Sequence, residues 1–312
     1  MPTPIWLMFD YKLLEALDMV LRCGSFDAAA KRLHLTPSAI SQRIRQLEER
    51  HGEVLLRREN PLCATATGEK LLAHVRQVRL LESELAGQLD DADGSAEWLT
   101  LRLGVNADSL ALGLLNALSP LLAQQRLLLE CVVDDEAYTL DLLRSGEVYG
   151  CISTQANEVA GCSVVPLGCI EYIGVARADF IAQYLPDLLS NHPLSAKQLM
   201  HAPAAVFGHR ESLHRRLLRE RWGLLDGQYP CHVIPESNAL FAAAQAGFAY
   251  AVVPRQQAAA ALAAGQLCEI AALAELVPLY WHHWARQTQP AQSLGLALQA
   301  FAASHFQSPA KG

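Results

Sequence analysis

The first 52 residues carry closely spaced helix start and stop signals, and these constrain the fold more than any other feature of the chain. Three residues of the type that caps helix N-termini each precede a helical pattern, and glycines end two of the patterns: Asp10, Ser25 and Thr36, with Gly24 and Gly52. Pro37 occupies a first helical position, where its missing N–H costs nothing. The sequence therefore predicts three short helices, the second over 26–33 and the third over 37–51, joined by a tight turn at His34 and Leu35.

The third helix has one apolar and one polar face. The apolar face is predicted to be buried: Ala39, Ile40, Ile44 and Leu47. The opposite face carries side chains that can hydrogen-bond base edges or phosphates: Ser38, Ser41, Gln42, Arg45 and Gln46. They cluster towards the helix N-terminus, as in a helix that enters the major groove. An ordinary solvated face would show the same pattern, so both interpretations stay open on the pattern alone.

A short extended run and a long helix follow. Residues 53–58 end in Arg57 and Arg58 and precede a loop, which predicts a wing that contacts phosphates. From Glu69 to about Gln88 a helix is predicted whose apolar residues recur at three- and four-residue steps: Leu71, Val75, Val78, Leu81, Leu85 and Leu89. A helix of this length exceeds what its own short domain can cover, so we expect it to pair with a second copy of the chain.

Charge is distributed unevenly along the chain. The formal net charge of −7 by itself argues mildly against a nucleic-acid partner. Residues 22–79, however, contain 11 lysines and arginines against 6 acidic residues, a net charge of +5. Residues 93–312 contain 13 against 19, a net charge of −6. This asymmetry indicates a basic, nucleic-acid-binding end joined to an acidic body.

Composition and motifs exclude several other classes of protein. With 51% hydrophobic and 18% charged residues the chain is globular, and it contains no apolar stretch of the roughly 18 residues that a membrane span needs. The N-terminus lacks the features of a signal peptide, so we expect a cytoplasmic protein. No G-x-S-x-G, H-E-x-x-H or P-loop motif occurs, and the adjacent histidines of 281–284 would point to opposite sides of a strand. We therefore predict neither an enzyme nor a metal or cofactor site.

The eight cysteines show no C-x-x-C spacing and no neighbouring histidine at ligand spacing, which argues against zinc. We expect them to be small buried side chains. A redox-sensing pair is the alternative.

The second half alternates strand and helix patterns. Strands are predicted over 98–105, 127–133 and 148–153, with helices over 109–123 and 138–145 between them. The strand pattern resumes at 172–176 and again at 267–276. This alternation predicts parallel α/β sheets in two lobes, with a ligand cleft at the carboxyl ends of the strands.

Polar residues at strand ends are the candidate ligand-binding groups. Those that could hold a carboxylate, together with backbone N–H groups, follow the first and third strands or precede an alanine-rich helix at 239–246: Asn106, Asp108, Ser109, Ser153, Thr154, Ser237 and Asn238. Three acidic residues follow the second strand and suit an ammonium or guanidinium ligand: Asp134, Asp135 and Glu136. The alternative for each single residue is that it only caps a helix.

The N-terminal residues also resemble a known family. The runs 26–33 and 35–44, followed by Gly52, Thr65 and Gly68, resemble the winged helix-turn-helix of LysR-type transcriptional regulators, although most members have a glutamine where this chain has Pro37. The resemblance implies the following DNA-contacting residues: Ser25, Thr36, Pro37, Ser38, Ser41, Gln42, Arg45, Arg57 and Arg58.

The remaining chain resembles the lysine- and arginine-responsive branch of the same family, through 105–111, 134–136, 144–150 and 280–282. The branch adds Phe207 to the candidate effector residues and has an acidic residue where this chain has Gly208. The implied fold is an α+β multi-domain chain with a winged helix-turn-helix, a linker helix and a two-lobe, periplasmic-binding-protein-like effector domain. The implied boundaries are 1–66, 67–92 and 93–312, with lobe I at about 93–163 and 268–312 and lobe II at about 164–267.

The resemblance also implies a function and partners. The function is sequence-specific control of transcription, with lysine or arginine as the effector and genes of amino-acid transport or metabolism as the targets. The partners are double-stranded DNA, RNA polymerase and a second copy of the chain, with the dimer pairing into a tetramer as an open alternative. Another small-molecule or a cysteine-based redox signal is the alternative to the basic amino acid.

Overall fold

A computed structural model describes residues 9–57, 59, 62–90, 98–133, 139–159, 161–190, 192–208 and 213–308. The chain divides into two compact units. The first comprises Met1–Leu99 and Asp141–Tyr149, and the second comprises Thr100–Leu140 and Gly150–Gly312. The domain and lobe boundaries expected from the sequence stay predictions.

The first unit begins with three helices whose ends follow the sequence signals. They are α1 (Tyr11–Cys23), α2 (Phe26–Arg32) and α3 (Pro37–His51). The Thr36 hydroxyl accepts a hydrogen bond from the backbone N–H of Ala39 at 3.2 Å, as expected of an N-cap. Gly52 ends α3 with a φ of +68°, a left-handed conformation that glycine adopts without steric cost.

A two-stranded hairpin and a long helix complete this unit. Strand β1 (Leu56–Arg57) pairs antiparallel with β2 (Cys63–Ala64), and α4 (Ala66–Asp90) begins three residues before the predicted start. The core gathers one apolar face from each helix and the hairpin: Leu13, Leu14, Leu17, Val20, Ala29, Ile40, Ile44, Leu47, Leu55, Leu71 and Val75. The apolar stripe of α4 is thus buried at its N-terminal end, whereas Leu81 and Leu85 are exposed.

The second unit is built on one eight-stranded sheet of order β4-β3-β5-β10-β6-β9-β7-β8. Its strands, in chain order, are β3 (Leu99–Val105), β4 (Leu127–Val133), β5 (Gly150–Ser153), β6 (Cys162–Ala176), β7 (Ala204–Val206), β8 (Cys231–Val233), β9 (Tyr250–Pro254) and β10 (Cys268–Trp284). The helices after α4, in chain order, are α5 (Ala107–Ala111), α6 (Leu114–Gln124), α7 (Thr139–Arg144), α8 (Ala178–Tyr184), α9 (Ala196–Leu199), α10 (Leu213–Trp222), α11 (Ser237–Ala246), α12 (Arg255–Ala263) and α13 (Gln289–His305). A 3₁₀ helix spans Pro186–Ser190.

The sheet is mixed, which corrects the parallel sheet expected from strand–helix alternation. Strand β5 is parallel to β3, and β7 is parallel to both β8 and β9. The long strands β6 and β10 run antiparallel to each other, and each also pairs antiparallel with a shorter neighbour. The alternating pattern detects the local strand–helix units but not the two long strands that join them.

Two element boundaries also differ from the predictions. The helix expected over 109–123 is divided into α5 and α6, because Gly113 adopts a φ of +99° that a helix cannot contain. The strand patterns at 172–176 and 267–276 are parts of β6 and β10.

The cysteines are less uniformly buried than expected. Cys151 and Cys169 are buried, but Cys63 and Cys231 are exposed, so the prediction of small buried side chains is wrong for these two. Burial raises the pKa of the Cys162 thiol to about 11. Among the described residues, no helix is long and apolar enough to cross a membrane.

Candidate DNA-binding surface and effector site

The polar face of α3 is exposed as the sequence predicts. Ser38, Gln42 and Arg45 are exposed, whereas Ile40 and Ile44 on the opposite face are buried. Ser41 is half-buried. This face therefore presents hydroxyl, amide and guanidinium groups, as base and phosphate contacts require.

The turn before α3 fixes its orientation against α2. His34 adopts a φ of +54°, the one left-handed residue other than glycine in the described ranges. The backbone N–H of Leu35 then donates to the carbonyl of Ala30 at 2.9 Å. The predicted contact residue Ser25 caps α2 by accepting from the N–H of Ala28 at 3.4 Å, and Pro37 and Thr36 form the first turn of α3.

The hairpin is tied to α3 through one carboxylate. Glu48 on α3 accepts a hydrogen bond at 2.9 Å from the backbone N–H of Leu55, directly before β1. Arg57 on β1 is exposed, as a phosphate contact must be. Arg58 lies outside the described residues.

A buried carboxylate that the sequence did not single out anchors α4 to α1. Asp18 on α1 is 1% exposed and accepts from Arg76 Nε at 2.9 Å and from Arg79 at 2.6 Å, both on α4. Arg76 also donates to the carbonyl of Ser145 at 2.7 Å. The pair of arginines therefore holds the middle of the long helix against α1 of the helix-turn-helix.

The candidate effector residues of the second unit lie at the carboxyl ends of strands. Asn106 and Ser109 follow β3, and Ser153 ends β5; all three are buried. Because β3 and β5 are parallel neighbours, these side chains lie at the same edge of the sheet. The Ser109 hydroxyl has no hydrogen-bond partner among the described residues.

Asp108 is the predicted residue around which the structure assembles other side chains. Ser237 Oγ donates to Asp108 Oδ1 at 2.5 Å, and Tyr172 Oη donates to Asp108 Oδ2 at 2.7 Å. The three residues are far apart in sequence and come from α5, β6 and α11. Sequence reasoning missed Tyr172, because a tyrosine inside a strand pattern looks like any core aromatic residue.

The start of α11 differs from the prediction. Ser237 and Asn238 were expected to precede the helix, but both lie within it, and Glu236 is the N-cap. The Glu236 carboxylate accepts from the N–H groups of Asn238 at 2.9 Å and Ala239 at 2.7 Å. These two amides are therefore occupied by the protein's own carboxylate, and the Ser237 side chain, rather than the helix N-terminus, is the group offered to the site.

The other predicted effector residues contribute less defined contacts. Ser153 Oγ accepts from the backbone N–H of Gln155 at 3.2 Å, and Thr154 beside it is half-buried. Phe207 is half-buried directly after β7. Asp134, Asp135 and Glu136 lie outside the described residues.

A helix-turn-helix with a hairpin wing, a long helix and a mixed-sheet unit with polar side chains at its strand ends is typical of a bacterial regulator that binds DNA and a small molecule. Residues 11–69 match the family model for the bacterial regulatory helix-turn-helix protein of the lysR family, and residues 99–306 match that for the LysR substrate binding domain. The chain belongs to the LysR family and is a DNA-binding transcriptional regulator, which confirms the predicted family and fold class.

Curated relatives and solved structures agree with this assignment. The chain is 44% identical over 276 residues to the HTH-type transcriptional regulator ArgP of Aeromonas salmonicida, covering 88% of this chain and 90% of that one. It is similar to the crystal structure of ArgP from Mycobacterium tuberculosis, with 34% identity and a TM-score of 0.79 over 96% of this chain and 100% of that one. It is also similar to full-length LysG from Corynebacterium glutamicum with bound effector Arg, with 29% identity, a TM-score of 0.76 and the same coverage.

Proposed function

We propose that this regulator responds to a basic amino acid, arginine or lysine, and that Asp108 pairs with the cationic side chain of the effector. The main support for this proposal is the position of Asp108. Its carboxylate lies just beyond the carboxyl end of β3 and accepts hydrogen bonds from the hydroxyl groups of Ser237 and Tyr172. A carboxylate held in one orientation suits bidentate pairing with a guanidinium group. The similarity to LysG, whose structure carries arginine, supports the same effector class.

The other end of an amino-acid effector is a carboxylate, and neutral donors lie near the same sheet edge. The buried hydroxyls of Ser109 and Ser153 are of the type that binds an α-carboxylate together with backbone N–H groups. Ser109 is the sharper candidate, since its hydroxyl has no partner among the described residues and a buried hydroxyl without a partner costs free energy. We therefore assign Ser109 to the carboxylate end of the effector and Asp108 to the cationic end.

The first unit carries the proposed DNA-binding function. We propose that the exposed face of α3, with Gln42 and Arg45, contacts base edges, while Arg57 of the hairpin binds phosphates.

Leu81 and Leu85 on α4 give the chain an exposed apolar stripe that suits pairing with a second copy. Closure of the two predicted lobes around the effector would then change how paired chains present their α3 helices to DNA. Contact with RNA polymerase and assembly into a tetramer stay predictions, and no enzymatic activity is assigned.

Isothermal titration calorimetry of the full chain tests the effector. We expect saturable binding of arginine or lysine and none of leucine, which is of similar size but neutral. Asp108→Asn, which keeps the shape of the side chain and removes its charge, is expected to lower the affinity roughly tenfold to a hundredfold. Equal affinities for leucine and lysine would overturn the proposal, and loss of DNA binding on thiol alkylation without any response to amino acids would favour the redox alternative.

A further inference from the structure

Tyr172 places its hydroxyl at Asp108 from a rigid position in the sheet. The residue lies inside β6 and is 4% exposed. Its backbone is in register with Pro254 of β9 on one side and with Glu275 of β10 on the other, so neighbouring strands fix it from both sides. A tyrosine ring has only two side-chain torsions, and burial removes most of their freedom. The hydroxyl is therefore a fixed donor at 2.7 Å from Asp108 Oδ2.

Ser237 provides the second hydrogen-bond donor to Asp108, from α11 rather than from the sheet. It is the first residue of α11 and 2% exposed, and its Oγ lies 2.5 Å from Asp108 Oδ1. Glu236 caps the same helix through Asn238 and Ala239, which keeps the start of α11 in one conformation. The capped start of α11 thus places the serine hydroxyl, as the sheet places the tyrosine hydroxyl.

The two hydroxyls bind different oxygens of one carboxylate. A single hydrogen bond leaves a carboxylate free to rotate about its Cβ–Cγ bond, whereas one donor on each oxygen fixes its plane. Hydrogen bonds to an ionised acceptor are also the stronger class. The Asp108 carboxylate is consequently ordered before any effector binds. Effector binding therefore loses no free energy to ordering this side chain.

We propose that Tyr172 and Ser237 are positioning residues that orient the Asp108 carboxylate and thereby give the effector site its preference for a cationic over a neutral side chain. This inference rests on the proposed function, because it assigns Asp108 to the effector's cation. Neither residue needs to contact the effector. Their contribution is specific to the charge of the effector, since a neutral side chain gains much less from an oriented carboxylate.

The experiment compares arginine with citrulline, which has nearly the same shape and an uncharged ureido group. Calorimetry on the full chain gives the ratio of the two affinities for the wild type, Tyr172→Phe and Ser237→Ala. We expect each substitution to lower the arginine-to-citrulline ratio about tenfold, equivalent to about 1.4 kcal/mol, by weakening arginine binding. A merely structural role would weaken both ligands equally and leave the ratio unchanged.

Two control variants separate positioning of Asp108 from the general loss of a hydroxyl. Tyr250→Phe removes a buried tyrosine hydroxyl that lies 3.0 Å from His214 Nε2 in the same unit, and Ser195→Ala removes the N-cap hydroxyl of α9. Both controls are expected to keep the wild-type ratio. In the Asp108→Asn background, Tyr172→Phe should change the ratio no further, because the two residues act through one carboxylate.

The outcomes distinguish this inference from the proposed function. A wild-type chain that binds neither arginine nor lysine overturns the proposed function and this inference with it. A wild-type chain that prefers arginine, and keeps that preference in both Tyr172→Phe and Ser237→Ala, overturns only the inference. A further loss of the ratio on adding Tyr172→Phe to Asp108→Asn also overturns it, because Tyr172 would then act by another route.

Discussion

The buried carboxylate of Asp18 accepts a hydrogen bond from Arg76 Nε at 2.9 Å within the DNA-binding unit. Arg79, one turn further along α4, donates to its other oxygen at 2.6 Å. Removing the charge of this carboxylate, which is 1% exposed, takes the anionic partner from Arg76 and one of two anionic partners from Arg79. We expect Asp18→Asn to lower the free energy of unfolding by about 3 kcal/mol, measured by urea denaturation.

Glu15→Gln is the matched control for that prediction. Glu15 lies on the same helix and 3.5 Å from Arg79, but its side chain is 42% exposed. Water already solvates this charge, so its loss is expected to cost less than about 1 kcal/mol. Similar losses in both variants would show that burial of Asp18 does not set the strength of the α1–α4 contact.

Acid should destabilise the effector-binding unit through His214. This histidine on α10 is 1% exposed, and burial lowers its pKa from 6.5 to about 4. Its Nε2 pairs with the Tyr250 hydroxyl, while Nδ1 has no partner in the described ranges, so a protonated ring would leave a buried donor unpaired.

The direction of the pH effect follows from the two protonation equilibria. The unfolded chain takes up a proton on His214 below pH 6.5, whereas the folded chain does so only near pH 4. The stabilising contribution is therefore complete above pH 6.5 and is lost as the pH falls towards 4, by on the order of 3 kcal/mol in total. Urea denaturation between pH 7 and pH 4 should show a shallower loss in His214→Gln than in the wild type.

His201→Gln serves as the control for the pH series, because His201 is exposed. It is expected to follow the wild-type pH dependence throughout. If His214→Gln also followed it, the acid sensitivity of the unit would have to arise from other groups.

Sequence-specific DNA binding should depend on the exposed polar face of α3. Arg45→Ala is expected to weaken binding to a selected operator about tenfold, measured by fluorescence anisotropy at fixed salt, since one good base contact contributes roughly 1–3 kcal/mol. Arg50→Ala is the control: Arg50 lies in the last turn of the same helix and pairs with Asp10 at 3.3 Å. An equal loss for both would indicate a general electrostatic contribution rather than base readout.

The helix-turn-helix could be read from the sequence because its determinants are local. Asp10, Ser25 and Thr36 cap helices through N–H groups two or three residues away, so the sequence alone identifies them. The long strand β10 could not be predicted in the same way. The register of β10 against β6 changes between Ile270 and Glu275. This change depends on β6, which is about 100 residues earlier in the chain, and strand pairing at that distance leaves no local pattern.

The candidate effector site was likewise predictable only where its residues have a local sequence signal. Asp108 and Ser237 were predicted because each lies beside a strand or helix end, where ligand-binding side chains concentrate. Their contact with one another spans 129 positions and could not be predicted. Tyr172 gave no signal, because its role depends on a hydroxyl meeting a carboxylate from another element. Sequence patterns therefore identify where polar groups lie at element ends, but only the fold shows which of them meet.

The exposed stripe of α4 leads to the last prediction, which concerns dimerisation. Leu71 and Val75 are buried within the chain, but Leu81 and Leu85, further along the same stripe, are 46% and 56% exposed. Burying two leucines from each of two helices contributes several kcal/mol, at roughly 1.5–3 kcal/mol for a fully buried side chain. Leu81→Asp with Leu85→Asp should therefore raise the dimer dissociation constant about a hundredfold or more in analytical ultracentrifugation. Leu296→Asp on α13, where the leucine is 66% exposed, is expected to leave it unchanged. A dimer that persists in the double variant would place the interface elsewhere.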